Sequence, residues 1–147
     1  MRLTSFTDFG LRALMRMAAE PDRAHSTAEI AAEFGISRNH LTKAISALAA
    51  AGIVETRRGT GGGAVLAQPA ERLRLGDIVA VLERKSALVE CLQSDGGNCV
   101  ITPSCRLKAL LTRARSRFLE DLNDHTLADC ALAVAGARYA ADDTREA

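Results

Sequence analysis

The chain has 147 residues, 19 of them basic and 18 acidic, for a formal net charge of +1. That length suits one compact domain burying roughly 68–70% of its unfolded surface, or a small domain with an appended arm, and excludes two large domains. The near-zero charge excludes a protein that coats DNA nonspecifically, while a local basic footprint stays open.

The amino terminus, Met1-Arg2-Leu3-Thr4-Ser5, has no apolar signal core, and no run approaches the roughly 18 apolar residues that span a bilayer, so a cytoplasmic protein without membrane contact is expected. Residues 8 to 19 carry Leu11, Leu14, Met15 and Ala18 at helical spacing, and Pro21-Asp22 ends that helix. Ser26-Thr27-Ala28-Glu29 reads as a capping box opening a short helix through Glu33, which Gly35 stops. Ile36 is expected to be a buried turn residue and Ser37 a new N-cap. Leu41, Ala44, Ile45 and Leu48 then form the apolar stripe of a second helix. Two short helices joined by a Gly-containing turn are the signature of a helix-turn-helix.

From Ile53 the period changes. Residues 53–57 and 64–67 read as strands flanking Arg58-Gly59-Thr60-Gly61-Gly62-Gly63, whose glycines permit positive φ and close backbone approach, as in a wing. The same glycines formally match a dinucleotide-binding G-x-G-x-x-A. That reading fails on context, because a short strand and Pro69 follow where a helix should open, and no Walker lysine is present. Leu75 to Glu83 reads as a short helix, and Thr102-Pro103 as the cap and first residue of a helix of about 20 residues, roughly 30 Å long. Its stripe is Leu107, Leu110, Leu111, Ala114, Phe118 and Leu122, and so long a stripe on an arm calls for a second copy related by a two-fold axis. Thr126-Leu127-Ala128-Asp129 caps one more helix, and residues 140–147 read as a flexible tail.

Two constellations carry chemistry. The first is the start of the second helix-turn-helix helix, Ser37, Arg38, Asn39, His40, Thr42 and Lys43, together with Arg57, Arg58, Gly59 and Thr60 of the wing. Arg can read guanine and Asn adenine from the first turn of a recognition helix, while Lys43 and the wing arginines suit phosphates. Any one of these alone is an ordinary solvated side chain; their order along the chain is the argument. His40 alone also suits a surface or capping role, and His25 reads as a loop residue.

The second is Cys91-x7-Cys99-x5-Cys105, within loop sequence that includes Asp95-Gly96-Gly97-Asn98. It lacks the paired C-x2-C spacing of most structural zinc sites. In a reducing compartment these thiols are poor disulfide candidates and better metal, cluster or redox candidates. Cys105 falls in the first turn of its helix, where the macrodipole favours a thiolate. Three thiolates leave a four-site cluster one ligand short, to be completed by a weaker group open to a diatomic gas or oxidant. Cys130, among Leu127, Ala131 and Val134, reads instead as a small buried apolar residue. No grouping of nucleophile, base and orienting residue appears among the histidines and carboxylates, so an enzyme is not expected.

The residues Leu3-Thr4-Ser5-Phe6-Thr7-Asp8-Phe9-Gly10-Leu11-Arg12, Gly35-Ile36-Ser37-Arg38-Asn39-His40, Ala51-Gly52 through Gly62-Gly63, and Ile101-Thr102-Pro103-Ser104-Cys105-Arg106-Leu107-Lys108 resemble the Rrf-two type of winged-helix iron-sulfur repressors over nearly the whole chain. Within that family the chain most resembles the nitric-oxide-sensing branch. The resemblance implies a homodimer that binds an inverted-repeat, palindromic operator in double-stranded DNA and releases it when nitric oxide nitrosylates the cluster. It implies an iron-sulfur cluster on Cys91, Cys99 and Cys105, 4Fe-4S in preference to 2Fe-2S, completed by a first-helix aspartate of the other subunit. Asp8 stands at that position; by itself it reads as a first-turn carboxylate favoured by the helix dipole. Relatives that complete the cluster with histidine carry it just after the last cysteine, where Arg106-Leu107-Lys108 has none. The gap of seven residues between Cys91 and Cys99 is shared with iron-responsive members, which makes iron the alternative signal. The expected fold is thus mainly α with a small β-hairpin wing: a winged helix-turn-helix over 1–69, a cluster loop and dimerisation helices over 70–139, and the tail.

Overall fold

A computed structural model describes residues 2–101 and 104–133. The elements in chain order are α1 (Ser5–Ala19), α2 (Thr27–Phe34), α3 (Arg38–Ala50), β1 (Val54–Arg57), β2 (Gly63–Leu66), α4 (Leu75–Leu82) and α5 (Arg106–Leu122). Short 3-10 turns lie at Ala70–Arg72, Glu90–Leu92 and Leu127–Cys130. The chain is therefore mainly helical with one two-stranded antiparallel hairpin.

Short polar side chains set the helix starts. The Thr4 hydroxyl accepts from the Thr7 N–H, so α1 opens at Ser5 rather than at residue 8. The apolar stripe begins only where the helix meets the core, one turn after its cap. Ser26 accepts from the Glu29 N–H as expected, but the return half of the capping box is not made, because Arg23 takes the Glu29 carboxylate. Gly35 closes α2 at φ 63°, and the Ser37 hydroxyl accepts from the His40 N–H to open α3. Ile36, between them, is half-buried against the core rather than enclosed.

Leu14, Met17, Ile30, Leu41 and Leu48 of the first three helices are fully enclosed or nearly so. Each such side chain contributes about 1.5–3 kcal/mol by leaving water. Leu73, Ile78, Leu82 and Leu127 belong to the same core cluster, so the chain after the hairpin is packed into it. The hairpin pairs Val54 with Leu66 and Arg57 with Gly63, a register that begins one residue later in β1 and one earlier in β2 than the sequence pattern marked. A third segment joins it. The His25 N–H donates to the Ala64 carbonyl at 3.0 Å and the Ala64 N–H to the His25 carbonyl at 2.8 Å. His25, expected as a loop residue, is thus a bridge residue only 1% exposed. Gly63 allows the approach, since a Cβ there would lie 2.6 Å from the His25 carbonyl oxygen.

α5 docks on α4 where Gly76 presents bare backbone: a Cβ would sit 2.1 Å from the Leu119 carbonyl oxygen. The Asn123 carboxamide seals the contact, accepting from the Asp77 N–H and donating to the Asp77 carboxylate, both at 3.0 Å. The expected α5 stripe divides. Leu111, Phe118 and Leu122 are half-buried, whereas Leu107 and Leu110 are 58% and 51% exposed. α4 has 8 residues against 17 in α5, too few to cover it from end to end. The expected Thr102-Pro103 helix start lies outside the described residues; the described helix begins at Arg106, about 26 Å long.

Beyond α5 the chain returns to the core. The Leu75 N–H bonds the His125 carbonyl, the Leu127 N–H bonds the Leu73 carbonyl, and the Leu132 N–H bonds the Met15 carbonyl. Thr126 and Asp129 form the reciprocal capping box, yet it starts only the turn Leu127–Cys130 and no longer helix. Ala131 turns extended, ψ 135°, to bring Leu132 to Met15. Cys130 is half-buried, and burial pushes its thiol up from the ordinary value. Val134 and residues 140–147 lie outside the described residues.

Candidate nucleic-acid interface and cysteine loop

The buried stripe of α3, Leu41, Ala44, Ile45 and Leu48, fixes which side of the helix faces outward. Ser37, Arg38, Asn39, His40, Thr42 and Lys43 are all exposed there. Two of them are already engaged. Ser37 is the N-cap, and the Thr42 hydroxyl donates to the Arg38 carbonyl at 2.8 Å, leaving its oxygen to accept and its methyl free for apolar contact. The His40 ring stacks on Phe9 of α1, centroids 6.4 Å apart and planes at 27°. Arg57, Arg58, Gly59 and Thr60 are exposed at the hairpin end. Among the described residues, ion pairs engage Arg12, Arg16 and Arg23, all in α1 or the turn after it, so Arg38, Lys43, Arg57 and Arg58 are in none. Unneutralised cations on a helix start and an adjoining hairpin are what a phosphate backbone attracts.

The three loop cysteines are free thiols. Cys91 is buried in the turn Glu90–Leu92, Cys99 is half-buried in the loop, and Cys105 is the N-cap of α5 rather than a first-turn residue. No side chain caps that helix end, so its free N–H groups and positive dipole end face the Cys105 position. The loop is closed by Glu90. Its carboxylate accepts from the Asn98 N–H at 2.9 Å, and a Cβ on Gly97, φ 60°, would lie 2.5 Å from the Glu90 carbonyl oxygen. Closure places the residue before Cys99 beside the residue before Cys91. The loop therefore fits a soft-metal cluster in donor chemistry and in closure. Among the described residues no three His, Cys, Asp or Glu side chains converge closely enough to hold a metal ion.

Asp8 lies in the first turn of α1, half-exposed, and the Arg12 guanidinium binds both its oxygens, at 3.0 and 2.9 Å. The same helix end carries a feature that the sequence did not announce. Glu83, at the end of α4, is 7% exposed and its Oε1 accepts from the Thr4 N–H at 2.8 Å, the Thr4 hydroxyl at 2.9 Å and the Thr7 hydroxyl at 2.5 Å. Burial pushes the Glu83 carboxyl up, but these bonds and one from Ser86 outweigh it and hold the group below its ordinary value. Phe9, in contact with α3, and Glu83, in contact with α1, thus link the Asp8 turn to both the candidate DNA-reading helix and the segment leading to the cysteines. Neither has a local sequence signal, since their partners are distant in the chain. No described helix is long and apolar enough to cross a membrane.

Comparison with known proteins places this arrangement. A candidate transcriptional regulator from Listeria innocua is 31% identical, with a TM-score of 0.66 over 88% of this chain and 85% of that one. The oxidized form of CymR from Staphylococcus aureus is 26% identical, with a TM-score of 0.67 over 91% of this chain and 98% of the other. IscR of T. potens is 26% identical, with a TM-score of 0.64 over 88% and 85% respectively. The family model described as Rrf2, iron-dependent transcriptional regulator, matches residues 3–132, and the chain belongs to that family.

Proposed function

We propose that this member of the Rrf2 family is a homodimeric, nitric-oxide-responsive repressor that binds an inverted-repeat operator and carries an iron-sulfur cluster, 4Fe-4S in preference to 2Fe-2S. The observation that carries the reading is the closed loop with three free thiols, set between α4 and α5 of a family fold described as iron-dependent. Cys91, Cys99 and Cys105 would hold the cluster, with Asp8 of the partner subunit as fourth ligand, and the cluster supplies a site reactive toward nitric oxide. The remaining work falls to the chain. Glu90 closes the loop, Glu83 ties the end of α4 to the first turn of α1, and Phe9 on that turn braces His40. Arg38 and Asn39 would read base edges, while Lys43, Arg57 and Arg58 hold phosphates. The exposed Leu107 and Leu110 would meet the second copy.

A single experiment tests this. Protein purified without oxygen is titrated with nitric oxide, or treated with an iron chelator, while absorption and binding to an operator selected from random duplexes are followed. Release at a few nitric oxide molecules per cluster, with Cys99→Ala showing neither the absorption nor tight binding, is the expected result. Wild-type affinity in Cys99→Ala overturns it. The gap of seven residues between Cys91 and Cys99 favours iron availability as the second reading, and release by chelator with indifference to nitric oxide would select it.

A further inference from the structure

The turn that follows α4 borders a groove that the reading above does not use. Its largest chamber, about 280 Å³, is lined by Arg2, Glu83, Ser86, Leu88 and Arg115. Two smaller chambers, about 140 and 160 Å³, share Ser86 and Ala87 with it and add Arg84, and the smaller of the three still has Arg115 on its wall. Lys85 lines the far end. Four cations from three separate parts of the chain therefore line one concave strip, Arg2 ahead of α1, Arg84 and Lys85 after α4, and Arg115 on α5, against two acidic residues, Glu83 and Asp95.

Among the described residues none of the four is in an ion pair. The one acidic group on the wall of the large chamber, Glu83, keeps its charge while its Oε1 accepts three hydrogen bonds from Thr4 and Thr7. Arg2 and Arg115 outnumber it, so the wall of the chamber carries one net positive charge. Guanidinium groups present a planar fork that matches carboxylate and phosphate oxygens two at a time. The chamber is smaller than most pockets for drug-sized ligands, which run from about 300 to 1,000 Å³. That size suits a compact anion and not the backbone of a duplex.

We propose that this groove binds a small multivalent oxyanion, a phosphate or a low-mass dicarboxylate, held between Arg2 and Arg115. The large chamber has no cysteine-loop residue on its wall, while Leu92 and Asp95 of that loop line the smaller ones. Bound there, the anion bridges the segment entering α1 to α5.

Calorimetric titration of the full-length protein with inorganic phosphate, and separately with succinate, tests the site, with sodium chloride at matched ionic strength as the screening control. Saturable binding of one of the two is expected, weakened about tenfold or more by Arg115→Gln, the scale of a lost hydrogen bond to a charged group. Arg113→Gln, on the same helix but off the groove, should bind as wild type. Arg2→Gln, at an exposed position ahead of the first helix, repeats the test should Arg115→Gln fail to fold. The proposal is overturned if neither anion gives heat beyond the chloride control, or if Arg113→Gln weakens binding as much as Arg115→Gln. Phosphate and succinate arms separate the two sources of the same oxyanion chemistry.

Discussion

Glu83→Gln removes one charge and almost no volume, and so isolates what the buried carboxylate does. Three donors, the Thr4 N–H and the Thr4 and Thr7 hydroxyls, converge on its Oε1, and Thr7 is fully enclosed. A hydrogen bond to a charged acceptor contributes about 1.5–3 kcal/mol and a neutral one about 0.5–1.5 kcal/mol. Because the three bonds share one oxygen their losses do not add fully, and a total of roughly 2–3 kcal/mol is expected. For a chain of this size that corresponds to a Tm lower by about 5–10 °C. The carboxyl is held below its ordinary value of 4.5, so its contribution is complete above that pH and lost as pH falls through the depressed folded-state value. Urea unfolding of wild type and variant across a pH series therefore shows a full gap at neutral pH that closes on acidification. A gap under about 0.5 kcal/mol at neutral pH, the ordinary scatter of surface substitutions, would refute the reasoning. So would a gap that persists unchanged in acid.

Gly76→Ala should force α5 off α4, since the new methyl falls on the Leu119 carbonyl. A loss of about 1–3 kcal/mol in urea unfolding is expected, and a neutral result would show that the two helices are not in close contact. Arg38→Ala should weaken binding to the selected operator by about tenfold while leaving binding to a scrambled duplex nearly unchanged; equal losses on both would make Arg38 a phosphate contact only. Phe9→Leu should remove the brace under His40 and weaken operator binding about two- to tenfold, with Phe9→Tyr restoring it. Failure of the tyrosine variant to restore binding would show that the ring is not what positions His40.

The sequence carried the elements whose determinants are local. Ser26, Gly35 and Ser37 punctuate the helix-turn-helix within a few residues, and the change of period at Ile53 marks the hairpin. What it missed lies at long range. Glu83 bonds residues 76 and 79 positions away, and His25 becomes the third member of the hairpin through Ala64. A polar residue fully satisfied by distant partners looks, in sequence, like any surface residue. The α5 stripe misled for the opposite reason. Spacing says that Leu107 and Phe118 share a side of the helix, but it does not say that the neighbouring helix covers only one of them.

The attachment of α5 at both ends limits how it can move. Its beginning follows the cysteine loop, while the chain beyond its end is held by Leu73, Met15 and the enclosed Leu127. A helix tethered in this way is a strut inside a closed linkage and not a free lever. On the proposed reading, a shift imposed at the cysteine end would act on a helix held at its far end and joined to α4 through Gly76 and Asn123. Because α4 also packs on α1 and α3, packed contacts run from α5 to the first and third helices.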